Sequence, residues 1–152
     1  MMKPISVWKQ ELSGGAHAAR LAALYCCAPE QTPAQAARYE AVLDGLEATF
    51  GPHTEAGLYS APGRTEIGGN HTDHQHGRVL AGSVNIDMIA AAGPNTLGQL
   101  RVQSEGYDLC VIDLNDLAAR KEEENTSAAI LRGECEAFRQ RGAKLSGLDV
   151  YI

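Results

Sequence analysis

The chain has 152 residues, a length typical of one domain with a sizeable hydrophobic core. Hydrophobic residues make up 44% of the sequence and charged residues 21%, as in an ordinary globular protein. The formal net charge of -6 and the scatter of its 13 lysines and arginines exclude the basic stripe that nucleic-acid and anionic-membrane surfaces need.

Targeting signals and disulfides are likewise not indicated. No apolar run approaches the roughly 18 residues of a membrane-spanning helix. The first eight residues lack the apolar core of a signal peptide. Cys26 and Cys27 are adjacent, and with Cys110 and Cys135 they form no C-x-x-C spacing. We therefore expect reduced cysteines, a cytoplasmic location, and neither a membrane nor a nucleic-acid partner.

The first part of the chain, residues 1–55, is predicted to be helical. The segment 13–15, Ser-Gly-Gly, separates an opening helix from a second one near 16–27. Thr32 followed by proline predicts the N-cap of a third helix. Its packing face comes from apolar residues spaced i, i+4, i+7 and i+11, which are Tyr39, Leu43, Leu46 and Phe50. Gly51 and Pro52 should end this helix.

The second part, residues 56–152, is predicted to mix strands, one loop and one helix. A short strand at 57–60 precedes a long loop at 61–77, and a strand follows at 79–92 with alternating polar and apolar residues. A hairpin is expected from 100–104 and 109–114. A helix near 126–141 should pack through Leu131, Cys135 and Phe138 and stop at Gly142. A half-buried strand ends the sequence at 148–152.

The loop at 61–77 is the most informative stretch. It combines an arginine, two carboxylates, an asparagine and three histidines with four glycines. Glycines let the backbone approach a ligand closely, and the polar side chains suit the hydroxyls of a sugar. Two other interpretations are a solvated surface loop and a metal-dependent hydrolase. The hydrolase would use ligands from the set His71, Asp73, His74 and His76, although their spacing matches no H-E-x-x-H helix.

Three parts of this loop resemble the signature of galactokinases, A-P-G-R-x-N-x-I-G-E-H-x-D-Y-x-x-G-x-V-L. They are residues 61–64 (A-P-G-R), 69–73 (G-N-H-T-D) and 77–80 (G-R-V-L), in order and without gaps. Galactokinases belong to a superfamily of small-molecule kinases that includes homoserine, mevalonate and phosphomevalonate kinases. The resemblance extends more softly over residues 56–152.

The resemblance assigns roles by position. Arg64 corresponds to the arginine beside the reacting sugar hydroxyl, where a fixed guanidinium would steady developing charge. Asn70, His71 and Asp73 correspond to the residues that hold the galactose hydroxyls, with Thr72 contributing backbone contacts. Ser104 corresponds to a position near the nucleotide. The implied activity is phosphorylation of galactose at C1 by ATP with Mg²⁺.

Some positions depart from the family pattern. Asn70 stands where glutamate is usual, so a charged acceptor becomes a neutral amide. Glu66, Gly68 and His74 replace an asparagine, an apolar residue and a tyrosine. These changes leave galactose, another aldose and an amino sugar as candidate ligands.

The sequence contains no glycine- and serine-rich phosphate loop of the family, and the family's catalytic aspartate lies beyond such a loop. We therefore expect a fragment of a longer kinase that is inactive alone and binds neither ATP nor Mg²⁺ well. A non-catalytic sugar-binding or regulatory relative is the alternative. The expected fold is α+β, an incomplete N-terminal lobe of the superfamily spanning 1–152. Its exposed sheet edge, at 148–152, would favour a homodimer.

Overall fold

The computed structural model describes residues 1–69, 74 and 76–152. These residues contain four α-helices and five strands, together with short 3₁₀ turns at Pro29–Gln31 and Lys121–Glu123. The helices are α1 (Ile5–Ser13), α2 (Ala18–Tyr25), α3 (Thr32–Phe50) and α4 (Ser127–Gln140). The strands are β1 (Gly57–Gly68), β2 (Leu80–Pro94), β3 (Gln99–Gln103), β4 (Cys110–Asp113) and β5 (Leu148–Tyr151). None of these helices is long and apolar enough to cross a membrane.

The strands form one mixed sheet in the order β1-β2-β5-β3-β4. All neighbouring pairs are antiparallel except β3 and β5, which are parallel. The α+β fold expected from the sequence is confirmed. The edge predicted at 148–152 is wrong, because β5 is the central strand and pairs with β2 on one side and β3 on the other. The proposed dimer contact through that segment therefore loses its physical basis.

Helix α3 packs on the sheet against β2 and β5, and α1 and α2 pack against α3. The predicted face of α3 is confirmed, since Leu43 and Leu46 are fully buried and Tyr39 nearly so. Gly45 lies against the ring of Tyr151, which occupies the space that a Cβ would need. This close approach sets the distance between α3 and the central strand.

The start of α3 differs from the prediction. Thr32 is the first helical residue, and its hydroxyl donates a hydrogen bond to the carbonyl oxygen of Pro29 at 2.8 Å. It therefore does not accept from the first turn of the helix as an N-cap would. The C-terminal end is as predicted, because Gly51 follows with a φ of 85° that favours glycine.

Helix α4 contacts β4 and is anchored by a charged residue. Thr126 caps it as expected for its N-terminus, accepting from the amide of Ala129. The predicted apolar face is only partly right: Leu131 and Cys135 are half-buried, but Phe138 is 58% exposed. Arg132 is the buried residue of this helix, and it makes a bidentate ion pair with Glu123 at 2.6 and 2.7 Å.

A second buried charge joins the centre of the sheet to the end of α3. The Asp149 side chain is 1% exposed and accepts from Arg101 at 2.6 Å on each carboxylate oxygen. Asn95 donates to it at 2.7 Å, and a ring nitrogen of His53 lies 3.0 Å away. Every lone pair direction of this carboxylate is used, which is the condition for a charge to remain buried.

We predict that Asp149→Asn lowers the free energy of unfolding by about 3 kcal/mol or more, because the guanidinium of Arg101 is left facing a neutral amide. Urea denaturation followed by far-ultraviolet circular dichroism measures this change. The matched control is Asp108→Asn, since Asp108 is exposed. Equal stability of the two variants would contradict the structural role of Asp149.

Candidate functional site

Strands β1 and β2 form a long antiparallel ribbon and are joined in sequence by residues 69–79. The residues from Ala61 to Gly68, predicted as loop, belong to β1, so that part of the prediction is wrong. The register shifts between Pro62 and Arg64 and again between Glu66 and Gly68. Such irregularities bend and twist a strand, and they explain why this stretch lacks a clear strand pattern.

Arg64 lies on β1, immediately after the first register shift and opposite Ser83 of β2. Its side chain is exposed. A guanidinium in this position is accessible to a ligand at the end of the ribbon formed by Gly68 and Leu80. The other predicted sugar-binding positions, Asn70, His71, Thr72 and Asp73, lie outside the described residues.

Gly69 follows β1 with a φ of 85°, a backbone conformation that residues other than glycine rarely adopt. A Cβ at this position would also collide with the carbonyl oxygen of Arg78. Backbone from the two sides of the loop therefore meets at Gly69. This requirement accounts physically for the glycine at this point of the motif.

The buried side of the ribbon is organised around Asp87 of β2, whose side chain is 3% exposed. Tyr25 and Ser60 each donate a hydroxyl hydrogen bond to Oδ2 at 2.6 Å. Arg38 donates to Oδ1 at 2.7 Å. The hydroxyl of Tyr39 lies 2.8 Å from that of Tyr25, so it donates to the oxygen whose proton faces Asp87.

These contacts affect protonation in both groups. Burial alone would raise the pKa of Asp87, but the hydrogen bonds from Ser60, Tyr25 and Arg38 outweigh burial and lower it below 3.8. Burial, and then the hydrogen bond to Asp87, raise the pKa of Tyr25 well above its usual 10. At neutral pH the group is therefore a carboxylate with a phenol as its donor.

In the middle of β2 one charged side chain, that of Asp87, is buried between exposed apolar neighbours. Asp87 faces the helices, whereas Ile86 is 76% exposed and Met88 63% exposed on the opposite face. Sequence reasoning missed Asp87 for this reason. A charged residue within an alternating strand is usually assigned to solvent, and its three donors lie 27 to 62 positions away.

Ser104, the predicted nucleotide contact, follows β3 at the end of the sheet toward which the ribbon extends. It is half-buried, and its carbonyl oxygen accepts from Gln103 Nε2 at 2.8 Å and from the amide of Tyr107 at 3.1 Å. These contacts shape the turn of the β3–β4 hairpin. No described contact assigns the Ser104 hydroxyl a ligand-binding role.

The metal interpretation gains no support from the part of the chain that the structure describes. Within residues 1–69, 74 and 76–152, no three histidine, cysteine or carboxylate side chains are grouped as a metal site would require. His71 and Asp73 fall outside these ranges. The hydrolase interpretation therefore stays a hypothesis from residue composition.

Comparisons with known proteins point to one family. A family model described as the galactokinase galactose-binding signature matches residues 46–94, which include all of β1 and β2. A galactokinase of Streptomyces coelicolor is 33% identical over 98 residues, 63% of this chain and 25% of that protein. A galactokinase of Lacticaseibacillus casei is 26% identical over 112 residues, 73% of this chain and 29% of that protein.

The fold has a counterpart among solved structures. The crystal structure of Lactococcus lactis galactokinase complexed with galactose matches 78% of this chain and 30% of that one, with a TM-score of 0.64 and 20% identity. This likeness supports the fold assignment. The chain spans about a quarter to a third of the length of the relatives it matches.

We predict that acid weakens the fold through two carboxylates, Asp87 and Asp149. In Asp149, as in Asp87, hydrogen bonds and an ion pair outweigh burial and hold the pKa below 3.8. The unfolded chain therefore takes up protons at a higher pH than the folded chain does. The stabilisation is complete above about pH 4 and is lost as pH falls through the folded-state pKa values.

Urea titrations between about pH 6 and pH 2.5 measure this loss. The dependence on pH should be shallower in Asp149→Asn, which no longer has one of the two titrating groups. A wild-type midpoint that stays constant over this range would contradict the assignment.

Proposed function

We propose that this chain is the galactose-binding part of a galactokinase, an enzyme that phosphorylates galactose. The reaction transfers the γ-phosphoryl group of ATP to the C1 hydroxyl of the sugar and releases ADP. The observation that carries this proposal is the match of residues 46–94 to the galactose-binding signature. The ribbon of β1 and β2 lies within these residues, and Arg64 is exposed on it.

The sugar contacts are proposed residue by residue. Asp73 accepts from the galactose hydroxyls, His71 accepts from or donates to them, Asn70 adds an amide that does both, and Thr72 contributes its backbone. Arg64 lies beside the reacting hydroxyl and stabilises charge that develops there. The amide at Asn70, in place of the usual glutamate, makes a weaker bond to the sugar than a carboxylate would.

The phosphate end of the reaction is not assigned to this chain. ATP and Mg²⁺ would supply the phosphoryl group and charge neutralisation. The 152 residues contain no glycine- and serine-rich loop that could cradle phosphates at a helix N-terminus. We therefore expect the chain alone to bind galactose without turning it over. Its four unpaired cysteines fit a reducing compartment, which supports a cytoplasmic location.

Isothermal titration of the chain with galactose tests the proposal. We expect saturable binding that Asp73→Asn weakens at least about tenfold, because a charged hydrogen-bond acceptor is removed. Asp108→Asn, which has the same chemical change at an exposed site outside the signature, should bind like the wild type. Absence of saturable binding, or equal loss in both variants, would refute the sugar site.

We also predict that Arg64→Ala weakens galactose binding about tenfold, because a charged donor to the sugar is lost. Arg141→Ala removes an exposed arginine just after α4 and serves as the control. A coupled ADP-release assay on the same samples should show no turnover in any of them. Clear turnover by the wild-type chain would show that it holds a complete active site.

A further inference from the structure

The ribbon of β1 and β2 extends beyond the rest of the sheet. Strand β5 pairs with β2 only over Ala91–Pro94, so residues 80–90 of β2 pair with β1 alone among the strands. Residues 61–68 of β1 and the following Gly69 are all exposed. Arg64 therefore lies on a projecting element whose direction depends on how its base is held.

Asp87 lies at that base, opposite Pro62 of β1. Its carboxylate joins three elements, since the donors come from α2 (Tyr25), α3 (Arg38) and β1 (Ser60). Further along the ribbon, Nδ2 of Asn85 donates a longer hydrogen bond, of 3.4 Å, to the carbonyl oxygen of Tyr25 at the end of α2. The strong polar anchoring is thus concentrated at one carboxylate.

Geometry makes this anchor sensitive. From Pro62 to Gly68 the ribbon runs six residues, about 20 Å at about 3.3 Å per residue. A tilt of about 3° at the base therefore moves the tip by about 1 Å, a displacement large enough to lower activity about a hundredfold in well-oriented sites. A small tilt of the ribbon at Asp87 therefore produces a large displacement at its tip, near Gly68.

The chemistry of the anchor favours a carboxylate. The hydroxyls of Tyr25 and Ser60 both donate to Oδ2, and a guanidinium faces Oδ1. An asparagine has no charge for Arg38 to pair with, and the amide group that replaces Oδ2 donates, so both hydroxyls would have to rotate and accept. Loss of the three charge-assisted bonds would weaken the junction between β1 and the helices.

We propose that Asp87 is a positioning residue for the sugar site: it fixes the ribbon against α2 and α3 and so determines where Arg64 lies. The helical residues Tyr25 and Arg38, which lie outside the galactose-binding signature at 46–94, thereby become part of the support of that site. This inference rests on the proposed function for its ligand, galactose.

The test compares galactose affinity in two variants of matched chemistry. Asp87→Asn alters the base of the ribbon, whereas Asp149→Asn breaks the other buried carboxylate network, opposite Gly93 at the far end of β2. The titration with galactose is done at a temperature well below the thermal unfolding midpoint of both variants. We expect Asp87→Asn to weaken binding about tenfold and Asp149→Asn to leave it within about twofold, because only Asp87 supports the tip of the ribbon.

A milder variant covers the case in which Asp87→Asn does not fold. Ser60→Ala removes the direct link from β1 and leaves Tyr25 and Arg38 on the carboxylate. It should retain the fold and weaken galactose binding about threefold, less than loss of the whole anchor does. Wild-type affinity in Ser60→Ala, or in folded Asp87→Asn, would overturn the inference.

A measurement without sugar separates this inference from the proposed function. The NMR chemical shifts of the backbone amides of residues 64–69 and 76–80 should change in Asp87→Asn and Ser60→Ala. They should not change in Asp149→Asn. If the wild-type chain does not bind galactose, the proposed function fails while these shifts still report the positioning. Unchanged shifts in both ribbon-base variants would overturn it.

Discussion

The Asp87 carboxylate lies where the helices meet the projecting ribbon, and it is the polar group around which that junction is packed. Tyr25, Arg38 and Ser60 come from three different elements and are all satisfied by its two oxygens. A buried charge is tolerated only under such conditions, because desolvation otherwise outweighs attraction. The carboxylate therefore fixes the ribbon relative to the helices, and with it the position of Arg64 on the ribbon.

Asp149 plays the corresponding part at the other end of the sheet. Its partners Arg101, Asn95 and His53 connect the central strand, the neighbouring strand and the segment after α3. The two networks hold opposite ends of the same helical layer to the sheet. They differ in what lies beyond them, since only the Asp87 end continues into the ribbon that carries the galactose-binding signature.

Local features of the fold could be predicted from the sequence. The helix from Thr32 to Phe50 follows from its apolar spacing and the terminating Gly51, and the hairpin of β3 and β4 follows from two short strand-like runs. Features that depend on distant partners could not. The central place of β5 and the burial of Asp87 are set by residues far away in sequence, and a strand's alternation alone does not say which face is buried.

The candidate site shows the same division. Arg64 and positions 70–73 stay predictions, made because an ordered motif resembles a known family. The exposed position of Arg64 agrees with that assignment. Asp87 lies outside the motif at 61–80, and its role is seen only where α2, α3 and β1 meet. A supporting residue of this kind is invisible to pattern recognition because its partners share no spacing.

Amide hydrogen–deuterium exchange with and without galactose tests the central claim most directly, because it reports every part of the chain in one experiment. The account predicts slower exchange on adding galactose in residues 57–94, with a smaller effect at the ends of α2 and α3 that hold Asp87. The α4 region, 127–140, should not change. Protection confined to α4, or no protection anywhere at saturating galactose, would contradict the account.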